Sequence, residues 1–154
     1  MSENIKEWKS KTIPELNVSM DEISNYLNME YQIYRALDTE ELLDIVWTLK
    51  RYSLYLQKEY NEENSRARWC YNTIMKIGKP LATNYGSYDK DERLQSAVRE
   101  NEALRNIQEK KIDSESKAAI LDGMSRSVSY LTNMLEKLAF YKLERKKNES
   151  TGQD

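Results

Sequence analysis

Apolar residues recur every three or four positions from Thr39 to Ile77. The series that starts at Leu42 and steps alternately by four and three residues is apolar at nine of eleven positions: Leu42, Val46, Leu49, Ser53, Leu56, Tyr60, Glu63, Ala67, Cys70, Ile74 and Ile77. A 3.5-residue repeat over about five heptads is typical of a helix that packs lengthwise on another helix. The pattern predicts one long helix over about 40–77, with an N-cap from Asp38 and Thr39 and a stop at Gly78 and Pro80.

Two further helices are predicted on either side of the long one. The first covers 20–37, because Ser19 and Glu22 form a capping pair and an aromatic stripe follows at three- and four-residue spacing. The second covers about 90–147, with a possible break near Asp113. Residues 1–18 are interpreted as a polar N-terminal arm, 19–147 as one helical domain, and 148–154 as a disordered tail.

These elements predict an all-α fold, an elongated coiled-coil-like hairpin of two long helices with a shorter N-terminal helix. A helix over 40–77 would be roughly 55 to 60 Å long, too long for one compact 154-residue globule to cover, so a homo-oligomer is also predicted. The residues predicted to form the helix and oligomer interface share the 3.5-residue spacing. They are Leu42, Val46, Leu49, Leu56, Ala67, Ile74, Leu121, Val128, Leu131, Leu135 and Leu138.

The residue types that carry most enzyme chemistry are missing from the sequence. It has no histidine, a single cysteine, Cys70, and no glycine-rich phosphate loop. We therefore expect no enzymatic activity, no catalytic residue, no metal and no cofactor. The uncharged runs are too short for a membrane span and the N-terminus lacks a signal-peptide core, so we expect no membrane partner and a cytoplasmic location, which would be the host cytoplasm for a phage protein.

Charge is distributed unevenly along the chain. Residues 1–49 carry a net charge of −6, whereas residues 50–90 carry +4, although the whole chain has a formal net charge of −2. This asymmetry fits an anionic partner, but pairing of acidic and basic helices within one assembly explains it more simply.

Basic and aromatic residues are interspersed in the central segment and again near the C-terminus. Cations that track phosphates and aromatic rings that stack on bases together bind single-stranded nucleic acid. The candidate nucleic-acid-binding residues are Arg51, Lys58, Arg66, Arg68, Trp69, Tyr71, Lys76, Lys79, Lys142, Arg145 and Lys146. The spacing does not place all of them on one helix face. The alternative interpretation is that the tyrosines complete a helix interface and the cations solubilise it.

The layout of the chain resembles the phage recombination mediator proteins of the UvsY type. The similar features are a long helix that ends in Arg66-Ala67-Arg68-Trp69-Cys70-Tyr71, a loop over 78–88, and a long final helix that ends in Phe140-Tyr141-Lys142-Leu143-Glu144-Arg145-Lys146-Lys147. The resemblance covers roughly residues 40–147. It implies a small helical, ring-forming protein that binds single-stranded DNA and helps to load a RecA-like recombinase onto strands covered by single-strand binding protein. It implies no role for any individual residue.

Two hypotheses follow from the sequence. The first is a non-enzymatic accessory protein of DNA recombination or repair that binds single-stranded DNA and helps to load a recombinase. The second is a coiled-coil assembly or scaffolding protein, such as a phage structural component, that binds only protein partners.

Overall fold

The computed structural model describes residues 20–152, and these residues form five α-helices and no strand. The helices are α1 (Met20–Leu27), α2 (Tyr31–Ala36), α3 (Thr39–Ala82), α4 (Lys90–Glu100) and α5 (Glu102–Thr151). The long helix α3 packs against the long helix α5, so the predicted all-α helical hairpin is confirmed. The predicted N-terminal arm, 1–18, lies outside the described residues, as does the capping residue Ser19.

The hairpin divides into two compact units. The terminal unit contains the described residues up to Leu56 and from Met124 onward, and the central unit is Gln57–Gly123. Each unit therefore contains one portion of α3 and one portion of α5. The two units are described separately below.

In the terminal unit, α3 and α5 run antiparallel. Lys50 forms an ion pair with Glu136, and the hydroxyl of Ser53 lies 3.1 Å from that of Ser129 and 3.5 Å from that of Ser125. A step forward on α3 therefore corresponds to a step backward on α5. Two hydroxyl contacts of this kind require a close approach of the helices, which small side chains on both sides permit.

The buried side of α3 follows the predicted seam from Leu42 to Ile74, but Ile77 at its end is 44 % exposed. Leu42, Leu49 and Leu56 in the terminal unit are at most 2 % exposed, and Cys70 and Ile74 are buried in the central unit. The other residues of the predicted α3 interface, Val46 and Ala67, are buried as well. Of the two predicted capping residues, Asp38 caps the helix and Thr39 is its first residue. The cap is reciprocal, because the Glu41 N–H donates to Asp38 Oδ1 and the Asp38 N–H donates to Glu41 Oε2, both at 2.9 Å.

The buried side of α5 in the terminal unit is rotated relative to the predicted seam. Val128 and Leu135 are 3 % exposed, but the other buried positions of α5 in this unit are the small residues Ser125, Thr132 and Ala139. The larger Leu131 and Leu138, which the sequence placed in the interface, are only half-buried, as is the predicted interface residue Leu121 in the central unit. Small residues at the contact bring the two backbones together, so the leucines are displaced to the edge of the interface.

The end of α3 and the whole of α4 pack together in the central unit. A Cβ atom at Gly78 would lie 2.7 Å from Leu94 Cδ1, so the absence of a side chain at Gly78 permits α4 to approach. The prediction that Gly78 and Pro80 stop α3 is wrong, because the helix continues to Ala82. Gly78 is buried by this packing, and Pro80 lies inside the helix, two residues before its end, although it has no backbone N–H to donate.

The break in the last predicted helix lies at Asn101 and not near Asp113. Asn101 adopts an extended conformation, and its Oδ1 accepts the Leu104 N–H at 3.1 Å, which caps α5. Around Asp113 the helix is continuous and carries two ion pairs with i,i+4 spacing, Lys111–Glu115 at 3.0 Å and Asp113–Lys117 at 2.7 Å.

Two other helix boundaries also differ from the sequence prediction. The predicted helix over 20–37 is two helices, because the Asn28 side chain donates to the Ser24 carbonyl at 2.8 Å and Glu30 is extended. The predicted disordered tail, 148–154, is helical as far as Thr151. An ion pair between Arg145 and Glu149 at 3.1 Å and a hydrogen bond from Thr151 Oγ1 to the Lys147 carbonyl at 2.7 Å support this last turn.

The two helical glycines provide a matched test of this packing. A Cβ at Gly123 would have no atom within 4 Å, so Gly123→Ala should stabilise the chain by about 0.5 to 1 kcal/mol through helix propensity alone. Gly78→Ala should gain less, because Leu94 has to move. Urea unfolding followed by circular dichroism measures both values, and an equal gain for the two variants would contradict the close contact at Gly78.

Candidate nucleic-acid interface

The C-terminal portion of α3 belongs to a stretch without acidic residues. From Asn64 to Tyr88 the sequence contains Arg66, Arg68, Lys76 and Lys79 but no aspartate or glutamate. Most of this stretch is helical and lies in the central unit. The local charge is therefore positive, although the chain as a whole is slightly acidic.

Several residues of this stretch form one exposed face, which we call the basic face and define as Arg68, Trp69, Asn72, Lys76 and Lys79. At 100° per residue, their positions on α3 fall within an arc of about 100°. All five are exposed, and Trp69 exposes 58 % of its surface. The structure thus brings together four of the predicted site residues, together with Asn72, which the sequence prediction did not include.

The cations of the basic face are available to an external anion. Among residues 20–152, no ion pair involves Arg68, Lys76 or Lys79. The nearest cation along the helix is different, because Arg66 Nη1 donates to both carboxylate oxygens of the buried Glu63, at 2.8 and 2.9 Å. Arg66 is therefore already neutralised, and the three remaining cations carry the positive potential of this face.

Tyr71 does not belong to the basic face. It lies on another side of α3, where the Lys111 ammonium group is 5.9 Å from the centre of its ring, within the range of a cation–π contact. Tyr71 and Lys111 border a shallow groove of about 350 Å³ between α3, α4 and α5. The groove is mainly apolar, with Ile74, Leu94 and Val98 in its lining.

The other candidates of the long helix are partly covered. Arg51 in the terminal unit and Lys58 in the central unit are both half-buried, and each has an interaction within the chain. Neither residue is part of the basic face.

The C-terminal candidates lie in the terminal unit and serve local contacts. The Lys142 ammonium group donates to the carbonyl of Arg35 at 2.6 Å and also to that of Leu37, so it fastens the end of α2 to α5. Arg145 pairs with Glu149. Lys146 is exposed and lines an open depression together with Asp38 and Glu149. Acidic neighbours therefore reduce the positive potential at this end of α5.

The loop after α3 adds tyrosines with different environments. The Tyr85 hydroxyl donates to Glu100 Oε2 at 2.9 Å, and this hydrogen bond to a carboxylate raises the pKa of Tyr85. Tyr88 is fully exposed. Helix α4 carries Leu94 and Val98 into the groove described above. The four-residue spacing of these two residues is typical of a helix face, but the sequence prediction merged α4 with α5.

Other kinds of site find little support in the described part of the chain. No group of three or more histidine, cysteine, aspartate or glutamate side chains between residues 20 and 152 could hold a metal ion. Cys70 is buried. None of the five helices combines the length and the apolar character that crossing a bilayer requires.

The electrostatics of the basic face can be tested without nucleic acid. In a variant with Trp8→Phe and Trp47→Phe, Trp69 is the only tryptophan. When each quenching constant is divided by that of free N-acetyltryptophanamide with the same ion, iodide should quench Trp69 more strongly than caesium, because the surrounding cations attract the anion. Adding Lys76→Glu and Lys79→Glu should reverse this preference, whereas adding Lys110→Glu, an exposed position on α5 of the same unit, should leave it. Equal quenching by both ions, measured as Stern–Volmer constants at constant ionic strength, would contradict a positive face.

Comparison with known proteins gives no match: no family model, no curated protein and no solved structure is significantly similar to this chain. Its function has to be inferred from its exposed surfaces.

Proposed function

We propose that this chain is a non-enzymatic accessory protein of DNA recombination or repair that binds single-stranded DNA through the basic face of its central unit. The observation that carries the proposal is the juxtaposition of Arg68, Lys76 and Lys79, without ion pairs in the described chain, with an exposed indole at Trp69. The phosphates of the strand would replace counterions at the three cations.

The indole favours single strands over duplex. Stacking of a base on an aromatic side chain contributes roughly 1 to 3 kcal/mol, and it requires a base whose face is not already covered by its neighbours. Trp69 belongs to the basic face, so a base can stack on its indole while the flanking phosphates contact Arg68 or Lys76. A duplex would offer phosphates but no free base face, and it should bind more weakly.

The wider role rests on the resemblance in layout to the UvsY-type mediators. In that role the protein would hold single strands and help to load a RecA-like recombinase onto DNA covered by single-strand binding protein. Assembly of several copies would multiply the basic face and offset the net charge of −2 on each chain.

Fluorescence anisotropy with a labelled oligothymidylate tests the proposal. Three phosphate contacts on a single strand predict a slope of log K against log salt near −2, so binding should weaken by about tenfold or more between 50 and 200 mM salt. Lys76→Glu with Lys79→Glu should abolish most of this binding, and Trp69→Ala should weaken it by about tenfold.

The matched controls are Lys110→Glu for charge and Trp47→Ala for loss of an exposed indole, since Trp47 is 67 % exposed but lies in the terminal unit. Both control variants should bind like the parent chain. Salt-insensitive binding, no binding at micromolar protein, or an equal loss in the controls would remove the proposal.

A second candidate function, assembly through protein partners alone, is favoured by exposed apolar side chains on α3 of the terminal unit. Leu43, Trp47 and Leu54 expose 40 %, 67 % and 71 % of their surfaces. In that case the charge reversals on the basic face would leave assembly with the protein partner intact. Leu49→Asp would abolish assembly, because it places a charge at a fully buried position.

A further inference from the structure

Helix α5 carries two parallel stripes in the terminal unit, and only one of them is fully buried. The packed stripe contains the buried Ser125, Val128, Thr132, Leu135 and Ala139. The second, which we call the outer stripe, consists of Met124, Ser127, Leu131, Met134, Leu138 and Tyr141. Its members are again spaced alternately by three and four residues.

The outer stripe is apolar and incompletely covered by the described residues. Met124, Met134 and Tyr141 expose 41 %, 42 % and 62 % of their surfaces, and Leu131 and Leu138 are half-buried. No charged residue interrupts it. An apolar repeat of 3.5 residues on a helix surface is complementary to another helix with the same repeat.

We propose that the outer stripe binds the outer stripe of a second copy of this chain, with the two α5 helices antiparallel. The proposal is independent of what the basic face binds. When the centres of the two stripes are aligned, Leu131 lies opposite Met134 of the second copy. The two-fold symmetry of the pair then places Ser127 opposite Leu138 and Met124 opposite Tyr141. Each large side chain then faces a smaller or more flexible one.

The residues beside the outer stripe complement one another in this register. Tyr130, which is 70 % exposed, and Lys137 flank the stripe on the same side. Reversal of the second helix brings Lys137 of one copy to Tyr130 of the other, twice in the pair, so that each ammonium group can lie against a ring. Two Lys137 side chains are kept apart, as are the two Tyr130 rings. A parallel pair would instead put these flanks on opposite sides of the interface, so that Lys137 could not reach Tyr130 of the second copy.

The exposed area matches a small dimer interface. At about 200 Å² for a large side chain, the exposed fractions of Met124, Tyr130, Met134 and Tyr141 amount to roughly 400 Å² per copy. Two copies would cover about 800 Å² before the edges of Leu131 and Leu138 are included, which brings the total close to the roughly 1,000 Å² of a specific interface.

Light-scattering mass measurement on the full chain tests the proposal. The parent chain at 100 µM should have twice its mass of 18.2 kDa. Met134→Glu should raise the dissociation constant at least 100-fold and give a monomer, while Asn133→Glu, an exposed position next to it and off the stripe, should leave the dimer intact. Circular dichroism should show the same helix content in all three proteins.

Disulfide cross-linking in a Cys70→Ser background tests whether the two α5 helices are antiparallel. Ser127→Cys and Leu138→Cys should each give no covalent dimer on mild oxidation, whereas the two together should give one, because only unlike positions meet. A monomeric parent chain, or a Met134→Glu variant that remains dimeric, would overturn the proposal and leave the outer stripe to a different protein or to another segment of this chain. A covalent dimer from Ser127→Cys alone would overturn the antiparallel arrangement.

Discussion

The structure depends on the close contact between α3 and the small residues of α5. Ser125, Thr132 and Ala139 are buried on α5, while Leu42 and Leu49 are fully buried on α3. An interface of large residues on one helix and small residues on the other brings the backbones close and fills space without voids. The consequence is that α5 keeps its own large apolar residues, Leu131 and Met134 among them, at or beyond the edge of the core, where they remain available to a partner.

The two surfaces to which we assign binding differ in their physics. The basic face of the central unit attracts by charge, and its contribution falls with added salt because the cations are exposed. The outer stripe of the terminal unit attracts by burial of apolar area, which salt does not screen. Under these two proposals, ligand binding and assembly use separate segments of the chain, and substitutions in one need not disturb the other.

Much of the fold was accessible from the sequence because helix periodicity is a strong signal. The all-α hairpin and the buried leucines of α3 followed from the 3.5-residue repeat. The rotation of α5 was not predictable in the same way, because serine and threonine at core positions read as polar until their hydroxyls are seen to contact Ser53 and neighbouring backbone carbonyls. The break at Asn101 was missed for a related reason, since asparagine is equally acceptable on an exposed helix surface and as an N-cap.

Of the candidate site, the charges and Trp69 were visible in the sequence. The ion pair that neutralises Arg66 and the contact that engages Lys142 were not, because they depend on the folded structure.

The hydrogen bonds and ion pairs of the two units close chain segments of very different length. In the central unit, Tyr85 reaches Glu100 only 15 positions away, while in the terminal unit Ser53 reaches Ser125 across 72 positions and Lys142 reaches Arg35 across 107. The entropy lost on closing a loop increases with its length, and distant contacts form slowly unless nearer ones have formed first. This difference in loop length favours folding from the middle of the chain outward, with the N- and C-terminal helices joining last, when the Lys142 ammonium group binds the end of α2.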